Sequence, residues 1–154
     1  MASVTTSSEP REARSPGDDP GPGSRLRALH LPVACCALEA LAATSALAAL
    51  GVDLVDLVDD DPAQADLLVI SGTVTHTMAP TVSAIHARMR PDARVVAFGV
   101  CATTGGPYWD SYSVLQGVDR IVPVDRYVPG CPPRPQALVD AITSLLGEPH
   151  DRRR

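Results

Sequence analysis

The chain has 154 residues, a formal net charge of −5 and 45% hydrophobic residues, which is enough apolar material for one folded domain with a real core. The acidic balance argues against a surface for nucleic acid or anionic membranes. Aromatic residues make up only 3%, so we expect a core of Ala, Val, Leu and Ile.

Both ends of the chain are predicted to be disordered tails. Residues 1–24 are rich in Ser, Pro, Gly and charged residues without periodicity, and residues 148–154 share this character. One domain remains, at residues 25–147. The first residues show no apolar stretch of the kind found in a secretory signal. We therefore expect a reducing compartment, where clustered cysteines indicate metal or redox chemistry more often than disulfides.

The first half of the domain predicts a strand followed by a helix. Residues 26–33 are mostly apolar and short, as in a buried strand. The alanine-rich residues 34–50 favour a helix by intrinsic propensity, and Gly51 is placed to stop it. The apolar stretch 31–52 is long enough to raise the question of a membrane span, but its dominance by alanine favours a buried helix of a soluble domain. Residues 52–58 fit either an edge strand or a helical turn.

The second half predicts further strands and helices. Residues 67–70 and 94–99 are continuous apolar runs, typical of parallel strands buried on both faces, and residues 120–124 predict a third such strand. Helices are predicted at residues 80–90 and 136–146. Alternating strands and helices with short loops imply an α/β domain, doubly wound, with a mostly parallel sheet and helices on both faces.

Each of the four cysteines follows a predicted strand. Cys35 and Cys36 follow the first strand, Cys101 follows a middle strand and Cys131 follows the last. Because parallel strands end at one edge of the sheet, where such domains bind ligands, the topology gathers sulfurs that are remote in sequence. Cys131 also lies in a proline-rich segment, residues 128–135, whose restricted backbone suits the fixed placement of one sulfur.

Four thiolates suit either zinc or an iron–sulfur cluster. Zinc sites usually take paired CxxC hairpins, whereas Cys35 and Cys36 are adjacent. Neighbouring side chains of an extended chain point to opposite sides, and two such thiolates reach one small ion only with difficulty. A cubane offers irons at separate corners, so the spacing favours [4Fe–4S] over zinc. The alternative to metal binding is that the cysteines are buried, unreactive thiols, and this applies most of all to Cys36.

Several segments resemble a known family in the family's own order. These segments are residues 34–39, 65–75, 78–80, 99–102, 111–114, 119–125 and 127–133. On them, the chain resembles the 20 kDa iron–sulfur subunit of respiratory NADH:quinone oxidoreductase (complex I), which is the B-type subunit of that enzyme. The small subunits of [NiFe] hydrogenases are more distant relatives.

The resemblance implies a flavodoxin-like domain with one [4Fe–4S] cluster, held by Cys35, Cys36, Cys101 and Cys131. In that family the cluster is the last of a relay and passes electrons to quinone. The implied partners are a 49 kDa-like subunit, a two-cluster ferredoxin-like subunit and the membrane arm of a proton-translocating enzyme. The chain would not be catalytic alone. It would lie peripherally on the cytoplasmic side of the cell membrane, without a transmembrane helix of its own.

The alternative is an electron relay in a membrane-bound [NiFe]-hydrogenase-like complex, or a structural paralogue without redox activity. The sequence departs from the family pattern before the tandem cysteines. It departs again at residues 53–61, where an acidic stretch replaces basic and aromatic residues. Arginines near the cluster would stabilise its reduced, more negative form, so these departures bear on the electron acceptor and leave the four ligands untouched.

The resemblance also implies which residues border the quinone. The family's loop between a strand and a helix forms part of the quinone pocket, and the corresponding candidates here are Gly72, Thr73, Thr75, His76 and Met78.

Other residues have two interpretations each. Glu39, one helical turn after Cys35, is a candidate to tune the cluster or relay a proton; equally, it is a first-turn carboxylate favoured by the helix dipole. Tyr108, Trp109 and Tyr112 fit either a partner surface or packing over the cluster loop.

Overall fold

The protein is described by a computed structural model that covers residues 25–57 and 60–148. The strands are β1 (Leu26–Pro32), β2 (Val52–Asp56), β3 (Leu67–Ser71), β4 (Arg94–Phe98) and β5 (Arg126–Val128). The helices are α1 (Cys36–Ala42), α2 (Thr44–Ala49), α3 (Ala79–Arg88), α4 (Val100–Thr104) and α5 (Pro135–Gly147). Short 3₁₀ turns lie at Pro62–Gln64, Gly106–Tyr108 and Val118–Arg120.

The five strands form one parallel sheet in the order β2-β1-β3-β4-β5. This is the flavodoxin-like, doubly wound order, in which the chain reverses direction across the sheet between the first and third strands. The predicted fold class is therefore confirmed. The same order places β3 between β1 and β4, two of the strands that lead into cysteine-bearing turns.

Each face of the sheet is covered by its own apolar layer. On one face, Phe98 and Val69 pack with Leu47 of α2 and Leu138 of α5. On the other face, Ile70 packs with residues of α3 and of the long connection before β5. All residues of β3 are buried, as is nearly all of β4, because these central strands have helices above and below them.

Three local predictions need correction or completion. The single helix predicted at residues 34–50 is two helices: the N–H of Ala43 donates to the carbonyl of Ala40, three residues back, which tightens the chain between α1 and α2. Gly51 follows with φ of 80°, as a helix stop requires. Residues 52–56 form the edge strand β2, and a short helix, α4, occupies part of the predicted loop at 100–106.

The prediction of a strand at residues 120–124 is wrong. This stretch follows a 3₁₀ turn, and the strand that pairs with β4 comes later, at Arg126–Val128. The apolar run at 121–124 misled the prediction because Val122 is buried from a loop, and Ile121 and Val124 pack partly buried against the same core. Pro123 lacks the N–H that a ladder needs.

The tails lie almost wholly outside the described residues. Of the predicted C-terminal tail only Glu148 is described, and its carboxylate accepts a hydrogen bond from the Arg126 guanidinium at 2.7 Å. In the part of the chain that the structure covers, no helix combines the length and apolarity needed to cross a membrane.

Candidate metal centre

The candidate site begins at a row of residues across the carboxyl end of the sheet. Pro32 of β1 is in register with Ser71 of β3, Ser71 with Phe98 of β4, and Phe98 with Val128 of β5. In a parallel sheet this row marks the height at which four strands end and their loops begin.

Three cysteines follow this row at the same interval. Cys35, Cys101 and Cys131 each lie three residues beyond a member of the row, after β1, β4 and β5 respectively. The chain separates them widely, yet parallel register brings all three turns to one edge of the sheet. The sequence prediction of convergence is thus met at the level of strand ends, although the last strand is not the one expected.

The tandem cysteines are turned out of β1 by an unusual backbone. Ala34 has φ of 55°, which only a few non-glycine residues adopt. Opposite it, a Cβ on Gly72 would lie 1.9 Å from the carbonyl oxygen of Val33, so β3 approaches the turn more closely than any side chain allows. Cys35 is left exposed before α1, while Cys36 begins the helix and is buried.

The Cys36 thiol lies among the other three. The pKa of Cys36 is raised to about 12, and burial of the thiol is the largest cause. The charge of Cys35 and a hydrogen bond with its thiol raise the pKa further, and the charges of Cys101 and Cys131 add smaller amounts. An electrostatic influence from all three sulfurs requires them to be near Cys36. All four cysteines are free thiols.

Glycines let the backbone close around these sulfurs. A Cβ on Gly99 would lie 2.5 Å from the Cys36 sulfur, and one on Gly106 would lie 2.8 Å from the Cys101 sulfur. The loop of Cys101 is also tied to that of Cys131, because the N–H of Val100 donates to the carbonyl of Gly130 at 2.8 Å. The Cys131–Pro132 peptide bond is cis.

This donor set is chemically suited to a cluster. Within residues 25–57 and 60–148, no three His, Cys, Asp or Glu side chains are grouped so that they could hold one metal ion. A cubane takes one thiolate at each separate iron. Burial and the neighbouring cysteines raise the pKa of Cys36 to about 12, so a cationic group such as a metal cluster would be needed to favour its thiolate.

The five quinone-pocket candidates lie on the loop between β3 and α3. Gly72 is buried, Thr73, Thr75 and Met78 are half-buried, and His76 is exposed. They therefore share one loop that starts from the same row as the cysteine turns, with His76 as its most accessible member.

That loop is held against a second segment that carries an aromatic tip. Thr75 forms an antiparallel bridge with Val114, and the N–H of His76 donates to the carbonyl of Ser113 at 2.9 Å. Tyr112, next to this contact, is 97% exposed. Tyr108 and Trp109 are exposed as well, at 56% and 59%, so these aromatics form surface and do not pack in the core.

Glu39 lies in the first turn of α1 and is half-buried. The positive end of the helix dipole accounts for a carboxylate there, and its position three residues after Cys36 keeps it a candidate for tuning the site.

One polar residue near the site is not marked by any motif. His30 interrupts the apolar run of β1 and is 1% exposed, with Nε2 2.7 Å from the Ser71 hydroxyl. The available sequence signal was an imidazole at a position where the strand pattern expects an apolar side chain.

Comparisons with known proteins agree on one family. The family model described as NADH ubiquinone oxidoreductase, 20 Kd subunit, matches residues 34–145. The chain is 52% identical over 113 residues to a B-type subunit of NADH-quinone oxidoreductase from Streptomyces griseus subsp. griseus, a match that covers 73% of this chain and 48% of that protein. It is 49% identical over 113 residues to a B-type subunit of NADH-quinone oxidoreductase from Salinispora tropica, with 73% and 60% covered.

A third relative, the B-type subunit of NADH-quinone oxidoreductase from Heliobacterium modesticaldum, is 43% identical over 123 residues, with 80% of this chain and 70% of that protein covered. The chain thus spans about half the length of the Streptomyces relative. Among solved structures, a chain of the membrane-bound sulfane sulfur reductase, an archaeal respiratory membrane complex, matches with a TM-score of 0.70 and 32% identity. That match covers 80% of this chain and 70% of the other.

Proposed function

The chain belongs to the family of the 20 kDa subunit of NADH ubiquinone oxidoreductase, and from this premise we propose that it is an electron-transfer subunit. Its four cysteines, Cys35, Cys36, Cys101 and Cys131, would hold one [4Fe–4S] cluster. The observation that carries the proposal is the common interval of three residues between one row of the sheet and Cys35, Cys101 and Cys131. The electrostatic link of Cys36 to the other three thiols supports it.

Bound there, a [4Fe–4S] cluster supplies one-electron transfer. The chain's own contribution would be to hold the cluster, to bury its inner side and to leave its outer side exposed. Cys36 and Cys101 are buried and fix the inner side of the site, whereas Cys35 and Cys131 are exposed and place its outer side at the protein surface. A site that is open on one side suits exchange of electrons with a partner chain, and the chain alone would not be a complete enzyme.

We propose further that this is the terminal site of a relay that ends on quinone. Gly72, Thr73, Thr75, His76 and Met78 would form this chain's wall of the quinone pocket, with His76 as the accessible hydrogen-bonding side chain. Supporting this, the loop leaves the same row of the sheet as the cysteine turns and is braced by Ser113 and its neighbours. The rest of the pocket would come from a 49 kDa-like subunit.

The proposed setting is a complex I-type assembly. A two-cluster ferredoxin-like subunit would deliver electrons, and the membrane arm would anchor the assembly, with this chain peripheral on the cytoplasmic side. A relay in a different respiratory membrane complex is the second candidate. The likeness to a chain of the sulfane sulfur reductase complex favours it, as does the acidic stretch at residues 53–61.

The test is anaerobic purification of the full chain followed by iron, acid-labile sulfide and zinc analysis. The proposal expects about four irons and about four sulfides per chain, and loss of both in Cys131→Ser. Gln136→Ala, an exposed change five residues further along on α5, is the matched control and keeps the metal. A folded protein without iron would support a structural subunit, and zinc in place of iron would support a zinc-stabilised binding module.

A further inference from the structure

Four of the chain's five aromatic side chains are exposed to solvent. Phe98 is the buried one. The exposed four are Tyr108, Trp109, Tyr112 and Tyr127. Large aromatic side chains are buried for the most part in a protein that works alone, and a contiguous exposed apolar group marks a site of interaction. These side chains therefore point to a partner that covers them.

Hydrogen bonds join the residues around Trp109 into one surface. The side-chain amide of Gln116 donates to the carbonyl of Trp109 at 2.9 Å, and Nε of Arg120 donates to the carbonyl of Gln116 at 3.1 Å. Beside Arg120, the carboxylate of Asp119 accepts from the hydroxyl of Tyr127 at 3.3 Å. We call this group the aromatic–arginine surface, and it consists of Tyr108, Trp109, Arg120 and Tyr127.

This surface borders two of the four cysteines. Gly106 begins the 3₁₀ turn that ends at Tyr108, and a Cβ on Gly106 would lie 2.8 Å from the Cys101 sulfur. Tyr127 lies on β5, which ends at Val128 and leads into the loop of Cys131. The aromatic–arginine surface is therefore on the side of the site that is formed by the turns after β4 and β5.

Tyr112 is tied to a different part of the site. Its neighbour Ser113 accepts from the N–H of His76, on the loop after β3 that carries the quinone-pocket candidates. That loop and the aromatic–arginine surface follow different strands of the sheet. An electron donor and an electron acceptor can therefore approach the four cysteines from different directions.

Two arginines on this side have no ion-pair partner. Five of the eight arginines within residues 25–57 and 60–148 form ion pairs. Arg120 and Arg134 are exposed and form none in this part of the chain. Arg134 lies three residues after Cys131. Each guanidinium keeps N–H donors in a fork that fits a carboxylate, and the neighbouring Asp119 already accepts from Tyr127.

The composition of the surface is that of a protein interface. Trp, Tyr and Arg are the residues that carry most of the binding energy between proteins. A partner that fits here has an apolar pocket for Trp109 and carboxylates for Arg120 and Arg134. Its position beside Cys101 and Cys131 suits a protein that exchanges electrons with the site.

We propose that a carboxylate-bearing face of the one-electron donor protein docks on the aromatic–arginine surface, so that electrons enter the four-cysteine site on the side of Cys101 and Cys131. The inference rests on the proposed function. In each transfer the donor loses one electron and the site gains it, and no bond forms or breaks. The loop after β3 stays free for the electron acceptor.

The first test is photo-cross-linking in the assembled complex, with Tyr108 replaced by p-benzoylphenylalanine. Irradiation followed by mass spectrometry should join residue 108 to an acidic segment of a cysteine-rich iron–sulfur chain. The same probe at Leu146, exposed at the end of α5, is the control and should not reach that chain. Cross-links from residue 108 to lipid, to a second copy of this chain or to a chain without a cluster, or no cross-link, would overturn the inference.

The second test measures electron transfer from the cross-linked chain, purified with its clusters and reduced, to the iron-loaded full chain in a stopped-flow instrument. Trp109→Ala should weaken the complex about tenfold. Arg120→Gln should slow association about fivefold at low ionic strength and reduce its dependence on salt. Leu146→Ala and Arg88→Gln are the matched controls, since both residues are exposed and lie away from this surface. Both controls should behave as the wild type.

The iron content of each sample separates two kinds of failure. A wild-type chain that folds without iron would overturn the proposed function and the inference with it. A wild-type chain with its cluster, together with unchanged transfer in Trp109→Ala and Arg120→Gln, would overturn the inference alone. Equal losses in Arg88→Gln and Arg120→Gln would also overturn it, because they would assign the effect to the total charge of the chain.

Discussion

Gly99 and Cys36 are in such close contact that a Cβ at residue 99 would lie 2.5 Å from the Cys36 sulfur. Gly99 also has φ of 99°, a conformation that L side chains rarely adopt. The turn after β4 thus sets where the second of the tandem cysteines can lie, although the two residues are far apart in sequence.

Replacing Gly99 by Ala should therefore expel the Cys36 thiol from its place. We expect Gly99→Ala to lose most of its iron and sulfide when purified anaerobically, and to lose about 1–3 kcal/mol of unfolding free energy from backbone strain. Gly51→Ala is the matched control, since Gly51 also has positive φ, of 80°, but a Cβ there meets nothing within 4 Å. The Gly51→Ala protein should lose stability, because alanine is strained at positive φ, but should keep its iron. Full iron content in Gly99→Ala would show that this contact does not position Cys36.

The raised pKa of Cys36 predicts an order of thiol reactivity in the metal-free protein. With a pKa of about 12, only about one Cys36 in ten thousand is a thiolate at pH 8, and the thiolate is the reactive form. Timed alkylation followed by mass spectrometry should modify the exposed Cys35 and Cys131 before Cys36. In denaturant the four should react alike. Early modification of Cys36 in the folded protein would refute the crowded, buried environment described here.

The same shift predicts how the metal-free protein responds to alkali. Because the pKa of Cys36 is raised in the folded state from an ordinary value of 9.0 to about 12, the folded chain binds more protons than the unfolded chain between these values. Its contribution to stability is therefore intact below about pH 9 and is lost as the pH rises toward 12. Urea unfolding across this window should show the loss, and Cys36→Ala should reduce it. An unchanged slope in Cys36→Ala would assign the effect to other groups.

Ser71→Ala should destabilise the protein because it leaves His30 Nε2 buried without its hydrogen-bond partner. We expect a loss of about 1–3 kcal/mol in unfolding free energy, measured as a lower urea midpoint with an unchanged slope. Ser144→Ala removes an exposed hydroxyl that contacts Arg126 and Glu148, and should change stability by less than about 0.5 kcal/mol. Equal losses of unfolding free energy in the two variants would mean that the buried His30–Ser71 hydrogen bond stabilises the protein no more than an exposed one does.

The quinone assignment has its own test in the exposed side chain of the β3–α3 loop. In the assembled complex, His76→Ala should lower quinone-linked turnover about five- to tenfold, the equivalent of one hydrogen bond of about 1–1.5 kcal/mol, while the cluster signal stays unchanged. His86→Ala, on the following helix, should leave turnover as it is. Wild-type turnover in His76→Ala would remove this loop from the pocket.

The fold was largely predictable because central parallel strands carry an unmistakable pattern. The apolar runs that became β3 and β4 are short, continuous and bounded by small residues, and they fixed the sheet's centre. The last strand escaped prediction because Arg126–Val128 has three residues and an exposed tyrosine, while the longer apolar run at 121–124 packs against the core from a loop. The convergence of the cysteines survived that error, since Cys131 follows the true strand, which ends at Val128, even more closely than it followed the predicted one.

Contacts between residues that are distant in the chain could not be predicted from the sequence. The sequence does not show that Gly99 contacts Cys36, or that the His30 side chain forms a hydrogen bond with Ser71. Both contacts depend on the register between strands. The positive φ of Ala34 is equally hidden, because alanine gives no sign of a left-handed turn. These are the features that shape the site beyond its ligands.

The most direct test of the central claim is an anomalous difference map from anaerobically grown crystals, recorded on both sides of the iron and zinc absorption edges. We predict one compact iron peak enclosed by the sulfurs of Cys35, Cys36, Cys101 and Cys131, with a separate corner at each sulfur. An iron-free site, a single zinc ion, or a cluster that leaves any one of these four sulfurs unbound would contradict the account.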